Sequence, residues 1–346
     1  MNFNEKTSSQ DILGKNIELS TGYLAKQANG AVKLTCGNTV LLATATMSKQ
    51  ERAGIDFFPL TIEFAEKMYA AGKIPGGFFK REARPSTKAT LISRLVDRPL
   101  RPLFPKGFKK EVQIIITVLS YDEDVVPDAL AIVAASAALS VSNIPFSTPV
   151  GSVLVGKINN QLVINPSKKE LENSTIELVV AGTKDAVLMI ESEAKEVSEE
   201  EILEAITFGQ TYIKKIIEIQ EDLVSQVGPE KIIFQPKEEA PELIQKVQKL
   251  MDGKMKSIFA SGQKLEIETQ LKALEETVLE NCVIPEEENE SDVKQVFNKI
   301  KKNEIRKIII QDKVRPDGRK VDEIRQIDVR TGYLPSVHGS AVFTRG

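Results

Sequence analysis

The sequence is poor in cysteine and histidine. Of 346 residues, two are cysteine, Cys36 and Cys282, and one is histidine, His338. The cysteines lie far apart and neither has a CxxC partner. That excludes a disulfide framework and a cysteine-type zinc site, and reads as two reduced and partly buried thiols. One histidine excludes any site that needs two within a single copy. A Ser-His-Asp triad would have to use His338, in a stretch with no room for a domain after it. Long apolar runs are missing too. The longest, Ala129 to Val141, is broken by serines and falls short of the about 20 residues that span a bilayer. Residues 1–16 are polar and carry no apolar signal segment, so a soluble cytoplasmic protein is expected, with no membrane partner. Chemistry, if present, runs on carboxylates, cationic side chains, hydroxyls and a metal or phosphate.

What is present is an uneven charge. The net charge is −3, but residues 1–150 carry +4, residues 151–310 carry −9 and residues 311–346 carry +2. From Glu66 to Lys110 there are 12 basic and 3 acidic residues. A patch of +9 on an otherwise acidic protein points to a polyanion, most simply nucleic acid. The alternative is a solvated basic surface, but the arginines here sit among prolines, glycines and phenylalanines.

Residues 31–35 partly alternate, and residues 39–46 are β-branched and apolar, with Cys36-Gly37-Asn38 between them as a tight-turn signal. Residues 55–64, 112–119, 147–155, 161–165, 176–181 and 186–190 read as further strands. Residues 127–141 read as a buried helix. Ser198 followed by three glutamates opens an amphipathic helix. Pro229, Pro236 and Pro241 mark a linker. Residues 242–279 and 292–310 read as amphipathic helices, separated by an acidic break at residues 285–290 that is taken as a solvated loop.

The chain also repeats itself. Residues 17–24, IELSTGYL, recur as residues 327–334, IDVRTGYL, at an offset of 310. Ala31-Val32 then matches Ala341-Val342, and Cys36-Gly37 matches Arg345-Gly346 with one gap. The second copy stops where the first enters its next strand, so the chain is expected to be a fragment of a longer protein with a second β-rich domain.

Three stretches carry a family resemblance: Phe78-Phe79-Lys80-Arg81-Glu82 with Arg84-Pro85-Ser86; residues 91–105, LISRLVDRPLRPLFP; and Arg315-Pro316-Asp317-Gly318-Arg319 with His338-Gly339-Ser340-Ala341. Together they resemble the bacterial polynucleotide phosphorylase family, over essentially the whole chain. The resemblance implies an α+β fold: an RNase PH-like domain of the ribosomal protein S5 domain 2 type, an all-α domain, and the truncated start of a second RNase PH-like domain. The corresponding divisions are residues 1–145 and 146–228 for the two parts of the first domain, 240–310 for the α domain and 311–346 for the second start. The implied reaction is 3′→5′ phosphorolysis of single-stranded RNA by inorganic phosphate, releasing nucleoside diphosphates and reversible into polymerisation. Implied with it are magnesium, a homotrimeric ring and membership of an RNA-degradation complex.

The resemblance places an RNA-gripping loop at Phe78, Phe79, Lys80 and Arg81. These residue types suit such a loop, because aromatic faces stack on any base and cations neutralise phosphates. Lys80 stands where the family commonly has arginine, and lysine lacks the planar fork. The alternative is that Phe78 and Phe79 belong to the core. Arg94, Arg98 and Arg101 are spaced i, i+4, i+7 and share a face if the helix continues, but Pro99 predicts an end near Asp97. The resemblance implies that these arginines face RNA or a subunit interface; the alternative is that they pair with Asp97 or another carboxylate. Arg84 is a weaker candidate of the same kind. The resemblance implies that an active first repeat would carry a Ser/Thr-rich phosphate loop at residues 134–140 and metal aspartates near residues 169–177. The residues there are mostly alanine, with Lys169 and Thr175 in the carboxylate positions. The first repeat therefore reads as silent, with catalytic and magnesium-binding residues expected beyond Gly346. Asp122, Glu123, Asp124 and Asp128 read as a surface loop, and His338-Gly339-Ser340 is given no chemistry. The rival functions are a non-catalytic RNA-binding ring subunit, a single-domain RNase PH, and a structural protein with no RNA role.

Overall fold

A computed structural model describes residues 4–51, 55, 57–78, 80–82, 84–236, 240–259, 264–282 and 290–346. Phe79 and most of the acidic break at residues 285–290 lie outside the described residues. The chain forms two compact units, residues 1–236 and 237–346.

The first unit contains two sheets. One has six strands in the order β1-β2-β3-β4-β6-β5: β1 (Lys6–Ile12), β2 (Lys15–Thr21), β3 (Gly30–Cys36), β4 (Thr39–Glu51), β5 (Leu60–Ala65) and β6 (Lys110–Ser120). Only β5 and β6 run parallel, joined by helix α1 (Thr87–Leu100), as a parallel pair requires a crossover. The second sheet orders β10-β9-β7-β8, from β7 (Gly151–Ile158), β8 (Gln161–Ile164), β9 (Ile176–Gly182) and β10 (Val187–Ala194). Helices α2 (Pro127–Ser140), the short α3 (Lys168–Glu172) and α4 (Glu199–Val227) complete the unit. The hairpin read from Cys36-Gly37-Asn38 is the β3–β4 connection, with Cys36 opposite Thr39. The polar strand β1 was not legible, since it buries only Ser8 and Ile12.

Helix α2 is the centre of this unit. It packs against β3, β4 and β6 of one sheet, β7 and β9 of the other, and α1 and α4. Every residue of α2 except Asp128 is buried, the signature of a helix apolar on all sides. It crosses β3 so closely that a Cβ on Gly30 would lie 2.1 Å from the Ala138 carbonyl oxygen. Residues 134–140 are therefore helix interior, in line with the buried helix expected over residues 127–141, and not a loop that could receive phosphate. The hydroxyl of Ser136 is already engaged: it donates to Gln220 Oε1 at 2.8 Å and accepts from the Val150 N–H at 2.8 Å, while Gln220 Nε2 donates to the Val150 carbonyl at 2.9 Å. This closed network ties α2, α4 and the approach to β7, with each named partner satisfied.

Helix α1 also differs from expectation. Ser86 caps its N-terminus, accepting from the Ala89 N–H at 2.9 Å. The helix runs through Pro99 to Leu100 instead of ending at Asp97. Proline sits in the last turn, Pro99 and Leu100 are buried, and the Arg101 N–H closes onto the Asp97 carbonyl. Burial and this cap outweigh the preference against helix before proline.

The second unit has its own core, centred on Leu243, Val247, Val278, Cys282, Val296 and Phe297. It holds α5 (Pro241–Met251), α6 (Lys254–Phe259), α7 (Lys264–Cys282) and α8 (Glu290–Asp312), followed by a hairpin of β11 (Ile327–Thr331) and β12 (Ala341–Arg345). The helix expected over residues 242–279 is broken at Gly253, whose φ is +70°. Both cysteines are fully buried, Cys36 in the first unit and Cys282 in the second.

Candidate functional site

The basic segment begins where β5 ends. Residues 68–71 form a 3-10 turn closed by Gly72 at φ +67°. The chain then makes an excursion that returns at Ser86, the cap of α1. On this excursion Phe78 is 95% exposed, and Lys80, Arg81 and Arg84 are exposed as well. An aromatic side chain held in water has not joined a core, so for Phe78 the core alternative is removed. Lys80 takes a left-handed backbone at φ +52°, an uncommon and costly choice for a residue with a Cβ.

The excursion is fastened at its base. The Ser86 hydroxyl donates to Glu66 Oε2 at 2.7 Å, and the Met68 N–H donates to Glu82 Oε1 at 3.1 Å. The Tyr121 N–H, at the end of β6, donates to the Ala70 carbonyl at 3.0 Å. The loop's tip is open while its foot is tied to the framework.

Because α1 continues through Leu100, Arg94, Arg98 and Arg101 follow one another along one helical face. They are not equivalent there. Arg94 is exposed, and among the described residues neither it nor Arg81 nor Arg84 forms an ion pair. Arg98 pairs with Glu191 of β10. Arg101 donates to both oxygens of Asp97 at 2.8 and 2.6 Å, to the Phe58 carbonyl at 3.0 Å and to the Leu60 carbonyl at 3.1 Å. Its guanidinium carbon also lies 5.8 Å from the centre of the Phe58 ring. That ring joins a cluster with Phe104 at 4.6 Å and Phe108 at 5.6 Å. Four of the five N–H groups of Arg101 thus have partners inside the chain.

The acidic residues near residues 122–128 do not act together. Asp122 accepts from Asn38 Nδ2 at 3.1 Å and from the Asp124 N–H at 3.0 Å, and the backbone N–H of Asp124 holds its carboxyl below the usual range. Asp128 lies instead in the first turn of α2, 3.5 Å from Lys88 Nζ; burial pushes its carboxyl up, against the pull of Lys88. Lys169 is exposed on α3, and Thr175 donates to the Lys157 carbonyl at 3.4 Å. Among the described residues no three His, Cys, Asp or Glu side chains converge as a metal site would require. Nor is any described helix long and apolar enough to cross a membrane.

A second basic surface escaped the sequence reading, which treated α8 only as amphipathic. Residues 294–307 hold six cations against one acid, Glu304. Lys294 pairs with Glu290, Lys307 lies 3.9 Å from Glu304, and Lys301 sits over the Phe297 ring. Lys302 and Arg306, four residues apart, are exposed on one face. A local charge count over α8 would have found them.

Comparison with known proteins bears on both surfaces. The family described as 3′ exoribonuclease family, domain 1, matches residues 14–145, and its domain 2 matches residues 148–212. The family described as polyribonucleotide nucleotidyltransferase, RNA binding domain, matches residues 242–320. The polyribonucleotide nucleotidyltransferase of Heliobacterium modesticaldum is 48% identical over 338 residues, covering 98% of this chain and 48% of that protein. That of Staphylococcus epidermidis is 48% identical over 351 residues, covering 100% and 50%. That of Chloroflexus aurantiacus is 49% identical over 343 residues, covering 98% and 45%. The chain spans about half the length of the curated relatives it matches.

Proposed function

The chain belongs to the polyribonucleotide nucleotidyltransferase family, aligned with the N-terminal half of its members, and from that premise we propose that it is the RNA-positioning half of a 3′→5′ phosphorolytic exoribonuclease. In that reaction inorganic phosphate attacks the terminal phosphodiester of single-stranded RNA. The P–O bond to the shortened strand breaks, and a nucleoside diphosphate leaves. This chain's part is to bind and orient the strand. The observation that carries the reading is the open tip of the basic excursion: Phe78 in solvent beside Lys80 and Arg81, with Arg84 and Arg94 unpaired among the described residues. An exposed ring accepts any base by stacking, and unpaired cations accept phosphates without reading sequence. Lys302 and Arg306 supply a second sequence-tolerant contact in the unit matched as an RNA binding domain. No described residue is assigned to bond making or breaking. Magnesium, where the whole protein uses it, has no converging set of ligands among the residues described, and no step is derived through it.

The test compares this chain with the full-length Heliobacterium modesticaldum relative on one labelled single-stranded RNA, with phosphate and magnesium. The chain alone is expected to bind RNA with a marked salt dependence and to release no nucleoside diphosphate, while the relative does both. Absence of RNA binding by the chain overturns the reading. Phosphate-dependent release by the chain alone overturns the assignment of a silent first repeat.

A further inference from the structure

The segment from Glu66 to Lys110 retains only three carboxylates, Glu66, Glu82 and Asp97. In a surface built to attract phosphates, each is an electrostatic liability. Yet each accepts a hydrogen bond that fixes the shape of the cationic surface. Asp97 receives Arg101, Glu66 receives the Ser86 hydroxyl and Glu82 receives the Met68 N–H. The last two form nested rungs, residues 66 to 86 outside and residues 68 to 82 inside. The outer rung shares Ser86 with the cap of α1, so it also joins the loop to the helix that carries Arg94 and Arg98.

We propose that Glu66 and Glu82 are positioning residues for RNA binding, two carboxylates that staple the foot of the cationic loop so that Phe78, Lys80 and Arg81 are presented together. The proposal rests on the RNA reading above and deepens it. A loop closed at its base loses less conformational freedom when it takes up a ligand, so its cations act at a lower entropic cost. Neither glutamate touches the strand. Each acts through the backbone or hydroxyl it holds, which is why a negative charge is tolerated at the foot of a positive loop.

The sign of the effect separates this from a simple charge effect. Glu82→Gln and Glu82→Ala remove the same charge, but only glutamine keeps an oxygen to accept from the Met68 N–H. A difference between the two variants that is matched by amide exchange at Met68 therefore reads the staple. In the full chain, with a fluorescein-labelled oligoadenylate as probe, Glu82→Gln is expected to bind at least as tightly as the unaltered protein. Glu82→Ala is expected to bind about fivefold more weakly than Glu82→Gln, the worth of one ordinary hydrogen bond. Amide exchange at Met68 should accelerate in Glu82→Ala and stay near normal in Glu82→Gln. Equal or tighter binding by Glu82→Ala than by Glu82→Gln overturns the proposal, as does Met68 exchange that ignores the alanine. If the unaltered chain binds no RNA while Met68 exchange still responds, the RNA reading fails and the staple is only structural. Should Glu82→Ala not fold, Glu66→Gln against Glu66→Ala puts the same question to the outer rung.

Discussion

Arg101 and Arg94 occupy the same helical face with the same charge, and the structure gives them different surroundings. Arg101→Ala removes two bonds to Asp97 and one each to the carbonyls of Phe58 and Leu60. The guanidinium side chain is 42% exposed and Asp97 27%, so the ion pair counts at the surface scale of about 0.5 kcal/mol. The carbonyl bonds come from a charged donor, and the Leu60 oxygen is partly buried, so its loss leaves an acceptor that water reaches poorly. Together these give about 2 kcal/mol. For a unit of this size that lowers the melting transition by about 6 °C. Arg94→Ala removes no ion pair among the described residues and should stay within about 0.5 kcal/mol of the unaltered protein.

RNA binding should show the reverse order. If Arg94 neutralises one phosphate of a single strand, its loss reduces the slope of log affinity against log salt by about 0.7. Arg101→Ala should leave that slope unchanged, because most of its donors already have partners within the chain. Calorimetry and salt-titrated fluorescence anisotropy on the two variants measure both quantities. An Arg101→Ala protein that melts normally but loses salt slope would refute the reasoning, since its guanidinium would then serve phosphate before the framework.

Two further outcomes follow from the fold. Gly30→Ala should destabilise the first unit by about 3 kcal/mol or more, because its Cβ meets the Ala138 carbonyl at 2.1 Å and backbone on both sides must move; Gly339→Ala, with nothing within 4 Å, should be nearly silent, and equal urea midpoints for the pair would contradict the α2–β3 packing. Glu201 is held down to about 2, first by its bond from Lys157 and then by Ser198 in the capping box of α4. The folded value lies below the unfolded one, so its contribution is full above pH 4.5 and is lost as pH falls toward 2. Glu201→Gln should therefore narrow its stability gap from the unaltered protein across that window, and a constant gap would refute the assignment.

The sequence showed most where a single element decides its own fate. The alternation of residues 31–35, the all-apolar α2 and the glutamate-led start of α4 need no partner to be recognised. The short α3 was not read, although Ser167 and Glu170 form a capping box whose spacing the sequence carries. What could not be read depends on chain brought from far away. Asp97 and Arg101 are four apart and their pairing was an open alternative, but the carbonyls of Phe58 and Leu60 arrive from about forty residues upstream. The same holds for the rungs at Glu66 and Glu82, and for Ser136, whose hydroxyl is taken by α4. A serine or a carboxylate known only by its residue type has no partner until the fold supplies one, so the helix over residues 134–140 was legible while the engagement of its Ser136 by α4 was not.

The internal repeat shows how far local sequence reaches. In the first copy Ile17 faces Cys36 and Leu19 faces Leu34; in the second Ile327 faces Arg345 and Val329 faces Phe343. The two registers coincide once the connection in the second copy is made one residue shorter. That moves the gap into the turn and aligns Gly30 with Gly339, not Ala31-Val32 with Ala341-Val342. The surroundings are opposite. Leu19 and Leu34 are fully buried, whereas Val329 and Phe343 are 56% and 63% exposed. Burial of one face ordinarily enforces register, because a slip of one residue turns every side chain over. Here the same pairing stands without that burial, with Gly22 and Gly332 both at positive φ at the start of the turn. The two copies thus share one pairing register in unlike surroundings, and only the first is buried against the rest of its unit.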